Sequence, residues 1–447
     1  MLSKKIAGVT MAAVAMAGVL GTGAASANAT RTITWLVRTD PVMNPWERAT
    51  IKAFEAVHPN IKVQMILSPS GAPFDQKLLT MVAAGDPPDI FSHWGNDSWA
   101  DFVYRGIAQN LTPYIQKTHF SFAGMDPALL KQYSIGNKVY GIPFATGGSY
   151  LFYNMSLLKK AHIPIPTTNW NDRSWNWPTV LKDARKMTVH SAKLASMQWG
   201  FNDELWPENA NFWLFGGDIF PASAYRTGVV QKVSATSPAV EQAVQWQRNL
   251  IYTYKVAPTP AQTTGLSTTE DPFLSGKIGM EMTGIWGFWV FKPAKFQWGA
   301  APLPYVKTDR NVLFTDPWMM AKGAAHPNAA WTFLQWLANP KEGDRTYVLT
   351  SGVFPVWKQL VPVWAQNEHK LHPWMSVASL IQLGNGSMQH GSESANHLLI
   401  NYGQMDSVMG NVLQPVWTGK TAPKAALAEL QTQLTQTIKE AGITKGR

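Results

Sequence analysis

The sequence predicts an α/β protein in which parallel strands alternate with helices. Strand-like and helix-like hydrophobic patterns follow one another along the N-terminal part of the chain, separated by glycine and proline turns. With 447 residues, 45% of them hydrophobic, the chain is long enough for about two or three globular domains. Together these observations are typical of a parallel sheet with right-handed crossovers.

The N-terminal elements predict where a ligand would bind. In order, they are a strand over 32–37, a helix over 44–57, a strand over 61–67, a helix over 74–84 and a short strand over 89–92. In sheets of this kind, ligands bind beyond the carboxyl ends of the strands. The loops 38–40 and 93–97 are therefore expected on one rim of a cleft.

The rest of the chain predicts two lobes between which the backbone crosses more than once. Residues 140–154 form an extended pattern interrupted by glycines and a proline, which we interpret as a crossing between lobes. Helices are predicted over 326–339 and over 423–438, the second with the clearest amphipathic pattern. No long linker separates these segments, so the lobes share several connections.

The first 29 residues have the pattern of a secretory signal peptide. Lys4 and Lys5 precede an apolar run over 6–20, and a small-residue cleavage pattern ends at Ala29, with an alternative ending at Ala27. A membrane anchor is the competing interpretation, but the apolar run is shorter than the ~20 residues that a span needs. We therefore predict export by a cleavable signal peptide to the periplasm or the cell surface.

The composition excludes several classes of protein. Because the chain has no cysteine, it has no disulfide, no cysteine-ligated metal, no thiol nucleophile and no cysteine-linked lipid anchor. The net charge is +10, but the basic residues are dispersed and follow no nucleic-acid-binding motif, so no nucleic-acid partner is predicted. Only 28 residues are acidic, which predicts that acidification removes little stability.

Four motifs stand in an order that carries a resemblance to a known family. They are FEAVHPNIKV over 54–63, KLLTMVAAGDPPDI over 77–90, FGGD over 215–218 and FLSGKIGMEMTGIW over 273–286. In sequence and spacing, the chain from about residue 33 onwards resembles the extracellular solute-binding proteins of ABC sugar importers, the maltose-binding-like family.

The resemblance implies a two-lobed periplasmic-binding-protein fold. Each lobe would have a mainly parallel sheet with helices on both faces, and hinge strands would join the lobes. After the signal peptide over 1–29, the N-terminal lobe would comprise 30–144 and 317–353, and the C-terminal lobe 145–316 and 354–447. The resemblance further implies a monomeric receptor with no catalytic residue and no cofactor. It would capture a carbohydrate ligand, close on it and deliver it to the permease subunits of an ABC importer.

Aromatic rings are expected to supply flat platforms for the C–H faces of a sugar. By the resemblance, Trp286 takes the place of a stacking aromatic, and Trp206 and Trp374 lie near two further such places. Trp94 follows the third strand on the expected rim. Several platforms favour an oligosaccharide over a monosaccharide. Core packing is the competing interpretation of any tryptophan, and it is the one we assign to Trp35, Trp46, Trp246, Trp331 and Trp336.

Polar groups for the sugar hydroxyls are expected at the same rim and at the crossings. The candidates are Arg38, Asp40, Asn96, Asp97, Thr146 and Asp316. For the first four, solvation, a turn or a helix cap is the competing interpretation. Thr146 is proposed by the resemblance. Asp316 stands where many relatives have glycine nearby, so it either reshapes the cleft or stiffens the hinge.

Three other classes of protein compete with this interpretation: a binding protein for a non-sugar solute, a secreted glycoside hydrolase and a metal-dependent enzyme. A binding protein for a non-sugar solute (a polyamine, iron or a polyol) would share this architecture, but a polyamine site needs several acids in the cleft. A secreted glycoside hydrolase needs two carboxylates across a cleft, and no local motif pairs them. No metal site is predicted, because His369 and His372 form the only close histidine pair and we interpret both as solvated.

Overall fold

The computed structural model describes residues 30–205, 209–266 and 271–444, so that the predicted signal peptide and Trp206 lie outside the described residues. The strands are β1 (Arg31–Arg38), β2 (Ile61–Ser68), β3 (Ile90–Phe91), β4 (Ser134–Ile135), β5 (Lys138–Val139), β6 (Ile142–Ala145), β7 (Ser149–Asn154), β8 (Asn202–Asp203), β9 (Met280–Gly284), β10 (Trp298–Ala301), β11 (Asn311–Leu313), β12 (Asp316–Met320) and β13 (Gly391–Glu393). The helices are α1 (Met43–Val57), α2 (Ala72–Ala83), α3 (Trp99–Tyr104), α4 (Thr112–Thr118), α5 (Pro127–Gln132), α6 (Met155–Lys160), α7 (Trp177–Met187), α8 (Asn209–Leu214), α9 (Ala222–Thr227), α10 (Pro238–Tyr252), α11 (Pro260–Leu266), α12 (Gly287–Val290), α13 (Pro327–Leu337), α14 (Gly343–Ser351), α15 (Val361–Leu371), α16 (Val377–His390), α17 (Ala395–Leu398), α18 (Tyr402–Trp417) and α19 (Pro423–Ala441).

The elements predicted from periodicity are confirmed. The alternating pattern at the N-terminus forms β1, α1, β2, α2 and β3 in the predicted order, and the extended segment over 140–154 forms β6 and β7. The two predicted late helices are α13 and α19, and α19 buries Leu427, Leu430 and Leu434 on one face. The 3.6-residue spacing of these leucines is what places them on that face.

The two main sheets are mixed, so the prediction of mainly parallel sheets was wrong. The first sheet has the order β2-β1-β3-β12-β6, with parallel pairs at β1 and antiparallel pairs at β12. The second has the order β10-β7-β9-β8, with one parallel pair, β8 with β9. The crossings explain the difference, because the chain leaves the first sheet along β6 and returns to it along β12 in the opposite direction.

The two crossings between the main sheets are hydrogen-bonded to each other, and a third chain segment at Phe354 is bonded to the first of them. The backbone N–H of Thr146, which follows β6, donates to the carbonyl of Phe354 at 3.2 Å. The hydroxyls of Thr146 and Thr315 are 2.9 Å apart, and both residues are buried. A polar network that is satisfied internally holds three separate chain segments at one place. This is where the two lobes meet.

The five tryptophans that the sequence assigns to core packing lie in the core, which confirms the prediction. Trp35, Trp46, Trp246, Trp331 and Trp336 are all buried, and the ring of Trp35 meets the ring of Trp318 edge-on at 5.3 Å.

The prediction that His372 is solvated was wrong. Its ring is buried against Trp298, with the ring centroids 4.4 Å apart, and the residue caps the C-terminus of α15. Within the described residues, no helix combines the length and the apolarity needed to cross a membrane.

Candidate ligand-binding cleft

A cleft of about 560 Å³ lies where the two lobes meet, at the carboxyl ends of β1 and β3. The loop after β1 and the loop after β3 both line it, which confirms the predicted rim. Five predicted site residues line this cleft: Arg38, Asp40, Trp94, Trp286 and Asp316. They come from both sheets and from a crossing, so the fold assembles them from distant parts of the chain.

Trp286 follows β9 and begins the short helix α12. Its ring lies over Gly284, where any side chain would overlap the ring atoms. Its Nε1 donates a hydrogen bond to the Glu204 carboxylate at 3.1 Å, and Phe314 meets the ring edge-on at 4.9 Å. The ring is only partly buried and lines the cleft. Strand, hydrogen bond and neighbouring ring thus hold a large aromatic surface in place at the cleft.

Arg38 and Asp40 form an ion pair at the opposite lobe. The guanidinium lies 4.3 Å from the centre of the Trp94 ring and 3.0 Å from the Asp40 carboxylate. The Oδ1 atom of Asp40 accepts from the backbone N–H groups of Val42 and Met43, so the turn interpretation of Asp40 is confirmed. The N-cap position of α1 is Val42, which supplies no side-chain cap. The guanidinium covers one face of Trp94, so this corner presents paired charges to the cleft.

Asp316 enters the cleft at an irregularity in β12. The pairing of β12 with β6 shifts register between Asp316 and Pro317. Such shifts commonly re-aim a side chain next to a functional site. Burial raises the pKa of Asp316 to about 6, although the nearby His397 and Arg38 favour its charged form.

Four other predicted residues are placed away from this cleft. Thr146 is fully buried in the crossings, where its hydroxyl meets that of Thr315. Trp374 is 37% exposed and lines a separate cavity on the C-terminal lobe, with its Nε1 donating to the carbonyl of Trp298. Asn96 and Asp97 line a shallow pocket beside α2 and α18.

The loop after β3 turns Asn96 and Asp97 outward. Both backbone N–H groups donate to the buried carboxylate of Asp75, and the Asp97 carboxylate lies 2.7 Å from Arg105. The helix cap expected from one of these two residues is instead supplied by Ser98, which forms a capping box with Asp101. These bonds direct the loop toward α2 and not into the cleft.

The structure adds site residues that local sequence patterns did not single out. Glu204, Asn396, Tyr347, His93 and His397 all line the cleft. His93 lies two residues after β3, in the predicted rim loop, so strand position is a signal that would have found it. His397 lies on α17, far along the chain, and no local motif points to it. His93 and His397 face one another with their ring centroids 4.7 Å apart.

Comparison with known proteins agrees with this architecture. The profile of the family described as bacterial extracellular solute-binding protein matches residues 39–344. A putative binding protein of Brucella abortus is 24% identical over 402 residues, which cover 86% of this chain and 88% of that protein. The galactooligosaccharide-binding protein of Bacillus subtilis is 23% identical over 84% of this chain and 83% of its own.

Solved structures share the fold. The ABC substrate-binding protein of Listeria monocytogenes in complex with cycloalternan superimposes with a TM-score of 0.77 at 22% identity. The superposition covers 92% of this chain and 99% of that one. The family profile spans more than half of the chain. The chain therefore belongs to the bacterial extracellular solute-binding protein family, the non-enzymatic receptors of ABC transporters.

Proposed function

We propose that this receptor captures an oligosaccharide in the cleft between its lobes, closes on it and delivers it to the permease of an ABC importer. The observation that carries the proposal is the Trp286 ring, held over Gly284 and bonded to Glu204 at the cleft. Aromatic faces attract the polarised C–H bonds of a sugar ring, and planar polar groups bind its hydroxyls. The Bacillus relative is named as a galactooligosaccharide-binding protein, and the Listeria structure is a complex with cycloalternan. Both support an oligosaccharide as the class of ligand.

The charges at the cleft favour a neutral ligand. The guanidinium of Arg38 is paired with Asp40, and the carboxylate of Glu204 already accepts from Trp286. A polyamine would need several unpaired acids, and an anion would need unpaired cations or helix N-termini. Asp316, Asn396 and Tyr347 line the cleft as further polar groups that suit hydroxyls. A non-sugar solute stays the alternative class that the test has to separate.

A screen of ligand-free protein by calorimetry and thermal denaturation tests the proposal. Malto-, galacto- and manno-oligosaccharides form one set, their monosaccharides a second, and spermidine and ferric citrate a third. We expect binding in the first set only. At a ligand concentration of 100 times Kd, stability rises by about 2.7 kcal/mol. Binding in the third set alone would overturn the sugar assignment.

Closure is proposed to pivot on the hydrogen-bonded crossings at Thr146, Thr315 and Phe354. In this proposal the lobes comprise 30–144 with 317–353 and 145–316 with 354–447, and the receptor acts as a monomer. A ligand shifts the open and closed populations only by its differential affinity for them. Small-angle scattering is expected to show a smaller radius of gyration when the bound oligosaccharide saturates the protein.

Gly284→Ala is expected to weaken sugar binding although it removes no ligand contact. The new methyl group would overlap the Trp286 ring and force it out of position, because the ring lies directly over this residue. We expect affinity to fall by about tenfold, which corresponds to about 1.4 kcal/mol. Gly410→Ala is the matched control, since nothing lies within contact distance of an added methyl there. Equal affinity of G284A and the unmodified protein would contradict the placement of the ring.

A further inference from the structure

We propose that the floor of the cleft is a binding site for a divalent transition-metal ion, formed by His93, His397 and Asp316. These residues come from the loop after β3, from α17 and from the start of β12, and all three line the cleft. One donor atom from each lies within 4.8 Å of the others, so three metal-ligating side chains meet in one place. The large sequence separation of the three residues explains why local spacing predicted no metal site.

The distances fit a site that needs only small side-chain adjustments. The His397 Nε2 and Asp316 Oδ1 atoms are 4.0 Å apart. In a tetrahedral zinc site the donor atoms are about 3.3 Å apart, since metal–ligand bonds are about 2.0–2.2 Å long. Each donor therefore has to move by about 1 Å or less. Rotation of these side chains supplies such a movement without a change in the backbone.

His93 supplies the observation that points to a bound ion. The side chain is buried, and its Nε2 atom has no hydrogen-bond partner among the described residues. A buried polar atom without a partner is rare in folded proteins and costs about 1–3 kcal/mol. Coordination to a metal would satisfy this atom. One ring nitrogen of His93 lies within 4.8 Å of a donor atom of each of the other two residues.

His397 is oriented as metal-bound histidines are. Its Nδ1 atom lies 2.6 Å from the Oε1 atom of Glu393, which also accepts from the backbone N–H of Thr315 at 3.0 Å. A histidine that bonds a carboxylate through one nitrogen presents the other nitrogen to a metal with a fixed ring orientation. Glu393 is itself buried, so this support is part of the folded structure and not of a mobile surface.

The ligand set selects the class of metal and leaves room for a further ligand. Two imidazoles and one carboxylate suit Zn²⁺, Co²⁺ or Ni²⁺, whereas Mg²⁺ and Ca²⁺ prefer oxygen ligands throughout. Three protein ligands leave a fourth position open in a tetrahedral site, and all three of these residues line the cleft. That a sugar hydroxyl occupies this position rests on the proposed function; metal binding itself does not. His93 and His397 follow different sheets, so the ion would also link the lobes.

Cobalt titration of untagged, chelator-treated protein tests the site without any sugar. We expect one Co²⁺ per chain, with visible absorption bands typical of four- or five-coordinate cobalt, and displacement by Zn²⁺. His93→Ala and His397→Gln are each expected to abolish the saturable bands, and Glu393→Gln to weaken binding about 10- to 100-fold. His369→Gln is the matched control, because that ring bonds the Met375 carbonyl away from the cleft. Circular dichroism establishes that each variant is folded.

The outcomes separate the metal site from sugar binding. No saturable band in the unmodified protein, or unchanged bands in both H93A and H397Q, would overturn the metal site. Sugar titrations run in parallel with chelator present report on the proposed function alone. Sugar binding without cobalt binding would support the receptor function and overturn the metal site. Cobalt binding without sugar binding would support the metal site and overturn the proposed sugar-binding function.

Discussion

Replacing Trp286 by alanine is expected to weaken oligosaccharide binding by about 30-fold or more. Truncation of a central aromatic residue in a binding site commonly costs 2 kcal/mol or more, which corresponds to about this factor. Trp286 fits that role because its ring lines the cleft, is fixed by the bond to Glu204 and leans on Gly284. Isothermal titration calorimetry with the best oligosaccharide of the screen measures the change.

The matched control for this variant is Trp374→Ala. Both tryptophans donate through Nε1 and both are partly exposed, but Trp374 lines a different cavity on the C-terminal lobe. We expect W374A to leave sugar affinity unchanged, and W286A to shift the melting temperature of the ligand-free protein only slightly. Equal affinity of W286A and the unmodified protein would refute the platform, and a large loss in W374A would move the site to the second cavity.

The fold was predictable wherever the hydrophobic period is clear. Alternation in β1 and β2 and helical spacing in α19 depend on neighbours in sequence, which a local pattern records directly. Strand direction in the sheets does not depend on such neighbours. The antiparallel placement of β12 follows from the path of the chain between lobes, which no local pattern records.

Local sequence patterns predicted site residues only where these follow a strand, whereas Trp286 and Asp316 were predicted from the family resemblance. Arg38, Asp40 and Trp94 were found because parallel strands bring their carboxyl ends to one edge. The same rule predicted Asn96 and Asp97 at the cleft, but the hydrogen bonds of their backbone N–H groups to Asp75 turn the loop outward. No comparable rule predicts His397 from the sequence, because α17 reaches the cleft only through tertiary packing.

The melting temperature is expected to rise when the pH is lowered from 7.5 to 4.5. Burial raises the pKa of Glu47, Asp203 and Glu368 to about 7 in each case, and that of Asp75 to about 6. Burial also raises the pKa of Asp344, whose two oxygens have no hydrogen-bond partner in the described part of the chain. The low acidic content predicts that acidification removes little stability. The burial of these carboxyls predicts further that acidification to pH 4.5 increases the stability.

The sign follows from proton uptake. Between the ordinary value near 4.5 and a folded-state value of about 7, Glu368 holds its proton more tightly in the folded protein than in the unfolded chain. The free energy of unfolding therefore falls as pH rises through this window, by up to about 3 kcal/mol for this group. His372 and His93 act in the opposite direction, because burial lowers their pKa values and protonation below pH 6.5 then favours unfolding. The raised carboxyls outnumber these two histidines, so the net change is stabilising.

Glu368→Gln isolates one of these groups. The side chain is fully buried on α15, and burial is the main cause of its raised pKa, with Lys292 opposing it. We expect E368Q to be more stable than the unmodified protein at pH 7.5 and nearly equal at pH 4.5, so its profile is flatter. Glu429→Gln on the exposed face of α19 is the matched control and should follow the unmodified profile. Differential scanning calorimetry at both pH values measures this, and an unmodified protein that melts lower at pH 4.5 than at pH 7.5 would contradict the predicted gain in stability.

The comparison ends at pH 4.5 because exposed carboxyls are protonated below that pH. Their protonation adds to a net charge that is already +10 at neutral pH, and the resulting repulsion destabilises the folded protein.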